Sequence, residues 1–241
     1  MSNADEHPYR GEEINGSSAS IAPGVSPEFF HAYRHESSLR FLIKSAVVVL
    51  GIGAIAVVGG NSLRGVGGWA AGVGGYASMI VGGLLVLLGL LLAFFAVGFW
   101  SLMAHAFKNG LLTPAVVVSQ EPTALAVLAE MGNGGRTYHG VRRLVVPDLP
   151  VHGDHLGTRV PCSSTFQPGE AVDRWAWFTP TPISHGTARP AAIEECFRRL
   201  GEEPFRRLES LVRLGLVPPD EKQVILLDEN YQVLERLKKP D

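Results

Sequence analysis

Cysteine is almost missing from this 241-residue chain, which has two, Cys162 and Cys196, far apart and without the paired spacing of a zinc motif. A disulfide scaffold and a cysteine-rich zinc module are therefore excluded. An excess of charge of one sign is missing too: 21 Lys and Arg face 23 Asp and Glu, a net charge of -2. Nucleic-acid binding needs a basic footprint that this composition does not supply, so no nucleic-acid partner is expected. Charged residues make up 18% of the chain, below the roughly 25% usual in soluble domains, and Met79 to Leu102 has none. There is no phosphate cradle either. Gly51-Ile52-Gly53 and Gly65-Val66-Gly67 stand in or beside apolar runs, without the strand before and lysine after that a nucleotide loop requires. No complete catalytic or cofactor motif occurs, and no cofactor is expected.

What is present is apolar and continuous. Met79 to Phe107 reads MIVGGLLVLLGLLLAFFAVGFWSLMAHAF, and Phe41 to Gly60 reads FLIKSAVVVLGIGAIAVVGG. A bilayer core about 30 Å thick needs roughly 20 apolar residues in a helix, so both runs predict membrane spans, about 41–60 and 78–104. Gly51, Gly53, Gly82, Gly83 and Gly89 do not argue against helix there, because in hydrocarbon the backbone must be satisfied internally. Small residues four apart, Ala56/Gly60 and Ser78/Gly82, have the spacing for close helix approach, within the hairpin or in a homo-oligomer. The first run begins too far into the chain for a signal peptide and is expected to be retained. The glycine-dense connection from Gly60 to Ser78 predicts a flexible loop closing an antiparallel hairpin.

Arg34, Arg40 and Lys44 flank the first run and His105 and Lys108 follow the second, whereas the connection holds only Arg64. By the positive-inside tendency this predicts a multi-pass protein of the plasma membrane with both termini cytoplasmic. Lys44 lies near a span end, where its stem can snorkel, and Trp100, Trp69 and Tyr76 suit the interfaces. Before the spans, residues 1–26 are rich in Ser, Gly and acidic residues and predict a disordered tail. Pro27 to Arg40 predicts a short interfacial helix, on which His31 and His35 stand four apart. That is metal-ligand spacing, but two ligands make an incomplete site, so a solvated face is the reading preferred.

From residue 109 to 241 short apolar runs alternate with turn residues, predicting a cytoplasmic α+β domain. Five strands are expected, Pro114–Ser119, Ala124–Glu130, Thr137–Val146, Arg159–Phe166 and Asp173–Phe178. By strand count they suggest a small antiparallel barrel, OB-like or SH3-like, with Gly132-Asn133-Gly134-Gly135 as a hairpin turn. Two short helices follow, one from Thr187 to Gly201 with Ile193, Phe197 and Leu200 on one face, the other opened by Pro204 and carrying Phe205, Leu208, Leu211 and Val212. In the tail, Val224–Leu227 and Tyr231–Leu234 read as a hairpin, with a helix over Tyr231–Lys238 left open.

Candidate functional residues are few. His152, Asp154 and His155 share a loop and are weak candidates for a divalent metal, with His139 and His185 elsewhere in the domain. Cys162 would serve as a nucleophile only beside a base and oxyanion donors; a buried strand cysteine is the reading preferred. Trp175 and Trp177 alternate on one strand face and are either core anchors or an exposed partner platform. Arg206 and Arg207 are candidates for a partner or acidic headgroups.

Arg159, Pro161, Cys162, Trp177, Phe178, Pro180, Pro182, Ile183, Gly186 and Thr187, in GTRVPCSSTF, RWAWFTPTPISHGT and the helix after them, resemble an uncharacterised family of bacterial membrane proteins, domain of unknown function 3239. The resemblance implies two membrane helices and a small mixed β domain and transfers no catalytic residue. The function expected is a non-enzymatic docking, assembly or stabilising module at the cytoplasmic membrane surface, its partners the lipid bilayer and another membrane or cytoplasmic protein. The alternative is a membrane-tethered metal-dependent or cysteine hydrolase using the His152/Asp154/His155 loop. A conduit formed by self-association of the spans is a third reading, disfavoured by the lack of a pore-facing polar stripe.

Overall fold

The computed structural model describes residues 21–65, 68–133, 136–171 and 173–239. They form two compact units: Glu36–Met103, and the residues up to His35 together with Ala104 onward. The greater part of the expected disordered tail, 1–20, lies outside the described residues.

The first unit is a helical hairpin. Helix α2 runs Ser37–Gly65 and helix α3 Trp69–Asn109, both long and apolar enough to cross a membrane. Their outer side chains are bare: Ile55 is 74% and Phe94 73% exposed. Apolar surface on this scale suits lipid and not water. The expected loop from Gly60 to Ser78 is corrected. Most of it is helix, extending α2 to Gly65 and starting α3 at Trp69, and two of its glycines, Gly60 and Gly75, pack backbone against backbone. A Cβ on Gly53 would stand 2.8 Å from the Val86 backbone nitrogen, one on Gly82 2.7 Å from that of Val57, and one on Gly60 2.6 Å from the Gly75 carbonyl. The two backbones touch, and Ser78 Oγ donates to the Ala56 carbonyl at 2.8 Å. The small residues read from the sequence thus meet inside one hairpin. Arg64 closes its tip, donating to Tyr76 Oη at 3.0 Å with its guanidinium over that ring.

The second unit is built on a seven-stranded antiparallel sheet curled into a half-barrel. Its strands are β1 Leu111–Gln120, β2 Thr123–Glu130, β3 His139–Val145, β4 Arg159–Gln167, β5 Trp177–Pro182, β6 Gln223–Leu227 and β7 Val233–Lys238, in the order β5-β4-β1-β2-β3-β6-β7. The five strands of the expected barrel become seven because the tail's apolar runs pair as a hairpin at the β3 edge. Asp228 makes that turn by accepting the Asn230 and Gln232 amides through Oδ1, and Tyr231 takes a positive φ of 61°. The strand expected over Asp173–Phe178 is displaced to Trp177–Pro182. Pro180 and Pro182 look like strand breakers, yet β5 is an edge, where a proline whose nitrogen faces outward costs no ladder bond.

Four helices complete this unit, α1 Phe29–His35, α4 Ile183–Gly186, α5 Pro190–Leu200 and α6 Glu203–Arg213. Phe205, Leu208 and Leu211 of α6 pack on Val116, Ala126, Leu128 and Val141 on one sheet face. Arg159 of β4 fastens the helix from the side, reaching Glu202 at 2.6 Å and Glu209 at 2.7 Å. The concave face holds Val127, Val160, Phe166, Trp175, Trp177 and Phe178. Arg142 of β3 enters this apolar interior, donating to the Phe178 carbonyl at 2.5 Å and the Glu221 carbonyl at 3.2 Å, with its guanidinium 4.4 Å from the Trp177 ring centre. Burial pulls its pKa down to about 10, a loss that Glu221 opposes.

The described end of the expected tail, 21–25, is ordered. The Gly24 and Val25 amides donate to the Lys108 and Phe107 carbonyls at 3.2 and 3.1 Å, and the Leu112 amide donates to the Ile21 carbonyl at 2.8 Å. Adding side-chain bulk at the hairpin contact should unseat it. Gly82→Val is expected to lower the detergent-solubilised protein's thermal midpoint, at an overpacking cost of about 1–3 kcal/mol. Gly83→Val, where a Cβ meets nothing within 4 Å, should leave the midpoint near that of the parent.

Candidate functional site

The loop read as a metal candidate does not converge. His152 turns inward, its ring edge-on to Phe197 at 5.8 Å, its Nε2 buried and without a hydrogen-bond partner, and burial lowers its pKa. Asp154 and His155 are exposed. Among the described residues no three His, Cys, Asp or Glu side chains form a group that could hold a metal ion. Cys162 is fully buried on β4, where desolvation pushes its thiol pKa up and works against the thiolate a nucleophile needs; Cys196, buried on α5, is pushed up to about 11. Trp175 and Trp177 are 2% and 1% exposed, both within the concave core, so neither forms a partner platform. A curled sheet this small fills its interior with large rings, and the two are spent there.

Arg206 and Arg207 are both exposed on α6, and Arg207 also lines a cleft. The cleft opens because the β1–β2 ladder stops. Its last pair at this end is Ala115↔Val127; Pro114 has no N–H to continue it, and the Leu112 amide turns instead to Ile21. Leu112, Leu128, Leu200 and Ile21 line an apolar floor, with Glu130, His139, Glu203, Arg207 and Tyr231 at the polar side. The space measures about 730 Å³, part of it open to solvent. At its rim Tyr231 stacks on His139 with ring centres 4.3 Å apart, and Arg207 hydrogen-bonds both Tyr231 Oη and Glu203, the latter at 3.1 Å. The Tyr231 bond raises the Arg207 pKa, whereas Tyr231 itself is raised mainly by burial. His139 is pulled down to about 4 by burial first and by Arg207 second, and is neutral near pH 7.

Of this rim the sequence pointed to Arg207 and, less directly, His139. Tyr231 is brought in by the β6–β7 turn, which had only been one of two readings. A further cluster joins residues the sequence left apart. His31 Nε2 donates to the Ser184 carbonyl at 2.7 Å, His35 Nδ1 meets Asp148 Oδ2 at 2.7 Å, and His185 Nε2 donates to the Asp148 carbonyl at 3.0 Å. The four-residue spacing of His31 and His35 was visible in the sequence; Asp148 had no signal.

Residues 100–214 match the family described as "Protein of unknown function (DUF3239)", the family resembled by the residues around Cys162 and Trp177. A crystal structure of a "putative membrane protein" from Corynebacterium diphtheriae is similar at 20% identity and a TM-score of 0.35, covering 48% of this chain and 98% of that one. No curated protein matches the chain.

The depressed His139 pKa sets a direction for stability. The unfolded imidazole protonates near 6.5 and the folded one only near 4, so between these values the unfolded chain binds more protons. Stability should fall as pH drops from about 6.5 to 4, by less than the roughly 1.4 kcal/mol per pH unit that one full proton gives. Denaturant midpoints of the detergent-solubilised chain across this range should show a shallower decline for His139→Phe.

Proposed function

From a chain whose residues 100–214 match the model of this uncharacterised family, we propose a membrane-anchored docking protein that receives a segment of a partner protein in the cleft beside Arg207. The observation that carries this reading is the interrupted β1–β2 ladder, which leaves an apolar floor open beside a polar rim. Such a combination suits recognition: apolar side chains supply affinity and a few placed polar groups fix orientation. The occupant is an extended segment with an apolar side chain for the Leu112/Leu200 floor and a cationic group for Glu130, whose carboxylate stands near Tyr231. In this reading α2 and α3 cross the plasma membrane and both termini lie on the cytoplasmic side, as the basic residues Arg34, Arg40, Lys44 and Lys108 favour. The partner is then a protein at the inner membrane surface.

Purification from native membranes in mild detergent tests this. The full chain is compared with Leu200→Glu/Glu130→Lys, which alters floor and rim, and with Arg198→Glu on the exposed side of α5. A partner retained by the parent and by Arg198→Glu, but reduced at least ten-fold by the cleft variant, is expected. An identical set of co-purifying proteins for all three would overturn the docking role of the cleft.

A further inference from the structure

Helix α1 is inverted relative to a helix on a water-bounded domain. At 3.6 residues per turn, His31, Ala32 and His35 fall on one side of it and Phe29, Phe30 and Tyr33 on the other. The side expected to be solvated is the docked one. His31 donates to the Ser184 carbonyl of α4, His35 meets the Asp148 carboxylate, and Ala32 is fully buried. The aromatic side faces out. Phe29 and Phe30 are both exposed, Phe30 at 84%, with their rings edge-on and 5.6 Å apart. A helix bounded by water hides its rings and shows its polar groups, so this arrangement suits an apolar medium on the outer side.

We propose that the outer face of α1 seats in the interfacial layer of the bilayer, the Phe30 ring among the upper acyl chains, so that the sheet unit touches lipid through this helix. The proposal rests on the reading of α2 and α3 as membrane spans. Chain connection selects lipid as the neighbour. Only Glu36 separates α1 from α2, and the apolar run of α2 opens at Phe41, itself exposed. The polar turn between, Ser37–Arg40, covers about 6 Å of helix axis, and the headgroup layer is about 5–8 Å thick on each side of a bilayer. The end of α1 therefore stands at the headgroups. A helix at that level whose free side carries aromatic rings has the composition of one lying in the interface.

The same segment continues backward into the strap. The Val25 amide donates to the Phe107 carbonyl, and the Ile21 carbonyl accepts from the Leu112 amide. Ile21 also lines the cleft, so lipid seating of α1 would steady one wall of it.

Depth-dependent quenching on the full chain in phospholipid nanodiscs tests this. Cys162 and Cys196 are buried, so a single added cysteine takes a fluorescent label: Phe30→Cys, Phe94→Cys in α3, or Leu214→Cys, an apolar residue 73% exposed at the end of α6. Nitroxide lipids quench from near the headgroup or from deep in the chain, and iodide quenches from water. The label at Phe30→Cys is expected to lose about half its emission to the shallow nitroxide and less to the deep one. Phe94→Cys should be quenched from lipid, and Leu214→Cys by iodide alone. Iodide quenching alone at Phe30→Cys, with Phe94→Cys still quenched from lipid, overturns the seating of α1 and leaves the spans in place. Lipid quenching at Leu214→Cys equal to that at Phe30→Cys also overturns it, because exposure by itself would then account for both. A Phe94→Cys label that lipid does not quench removes the spans and the proposal with them. A benzophenone side chain at position 30, photoactivated in native membranes, identifies the neighbour without the label's own affinity for lipid. A lipid adduct is expected; an adduct to a second copy of the chain or to another protein overturns the proposal.

Discussion

The end of helix α3 is the constraint around which the sheet unit is arranged. An α-helix leaves its last carbonyls without intrahelical donors, and buried carbonyls left bare are costly. Here three in succession are met. Ala106 accepts from Ser163 Oγ and the Gly110 amide, both at 2.7 Å, Phe107 from the Val25 amide, and Lys108 from the Gly24 amide. These bonds require β4 on one side and the N-terminal strap on the other. Phe107 adds a steric demand, since its ring lies where a Cβ on Gly186 would be 2.8 Å away. Strap, β4 and α4 thus take their places from one helical turn, and Leu111 starts the sheet with only Gly110 between.

A second constraint sets the curl. Arg142 on β3 reaches the Phe178 carbonyl on β5, although three strands separate these two in the sheet order. The sheet must bend for that bond to form, and the cation is tolerated inside because carbonyls and the Trp177 ring replace its water. Arg174 of the β4–β5 connection, bridged to Gly132 and paired with Glu235 of β7 at 2.8 Å, draws the two edges toward each other in the same sense.

What was legible in the sequence had a period or a length. The two apolar runs, the short strand run over Arg159–Phe166 and the helical stripe of Phe205, Leu208 and Leu211 all correspond to observed elements, because burial imposes those lengths and spacings. The glycine-rich connection misled, since glycine signals a loop in water and close contact between apolar helices. The extension of β5 through Pro180 and Pro182 was not legible, because edge position cannot be read from one strand alone. The sites were less legible still. Arg207 was visible as a charge, but the cleft exists only because Pro114 interrupts a ladder with a strand elsewhere in the chain, and Asp148 meets His35 across a sequence gap no local pattern reports.

The boundary between the two units has a consequence for synthesis. The sheet unit is not continuous in sequence: residues 36–103, the helical hairpin, are inserted between its first piece and the remainder. The strap and α1 are translated first, yet the carbonyls and histidine-bearing turn they bind belong to residues made only after both apolar helices. During elongation the first piece is therefore an unmatched fragment whose complement arrives after the hairpin. Formation of the hairpin and closure of the sheet unit are thus ordered by synthesis, and the closing step joins the strap and α1 to a sheet that β6 and β7 complete.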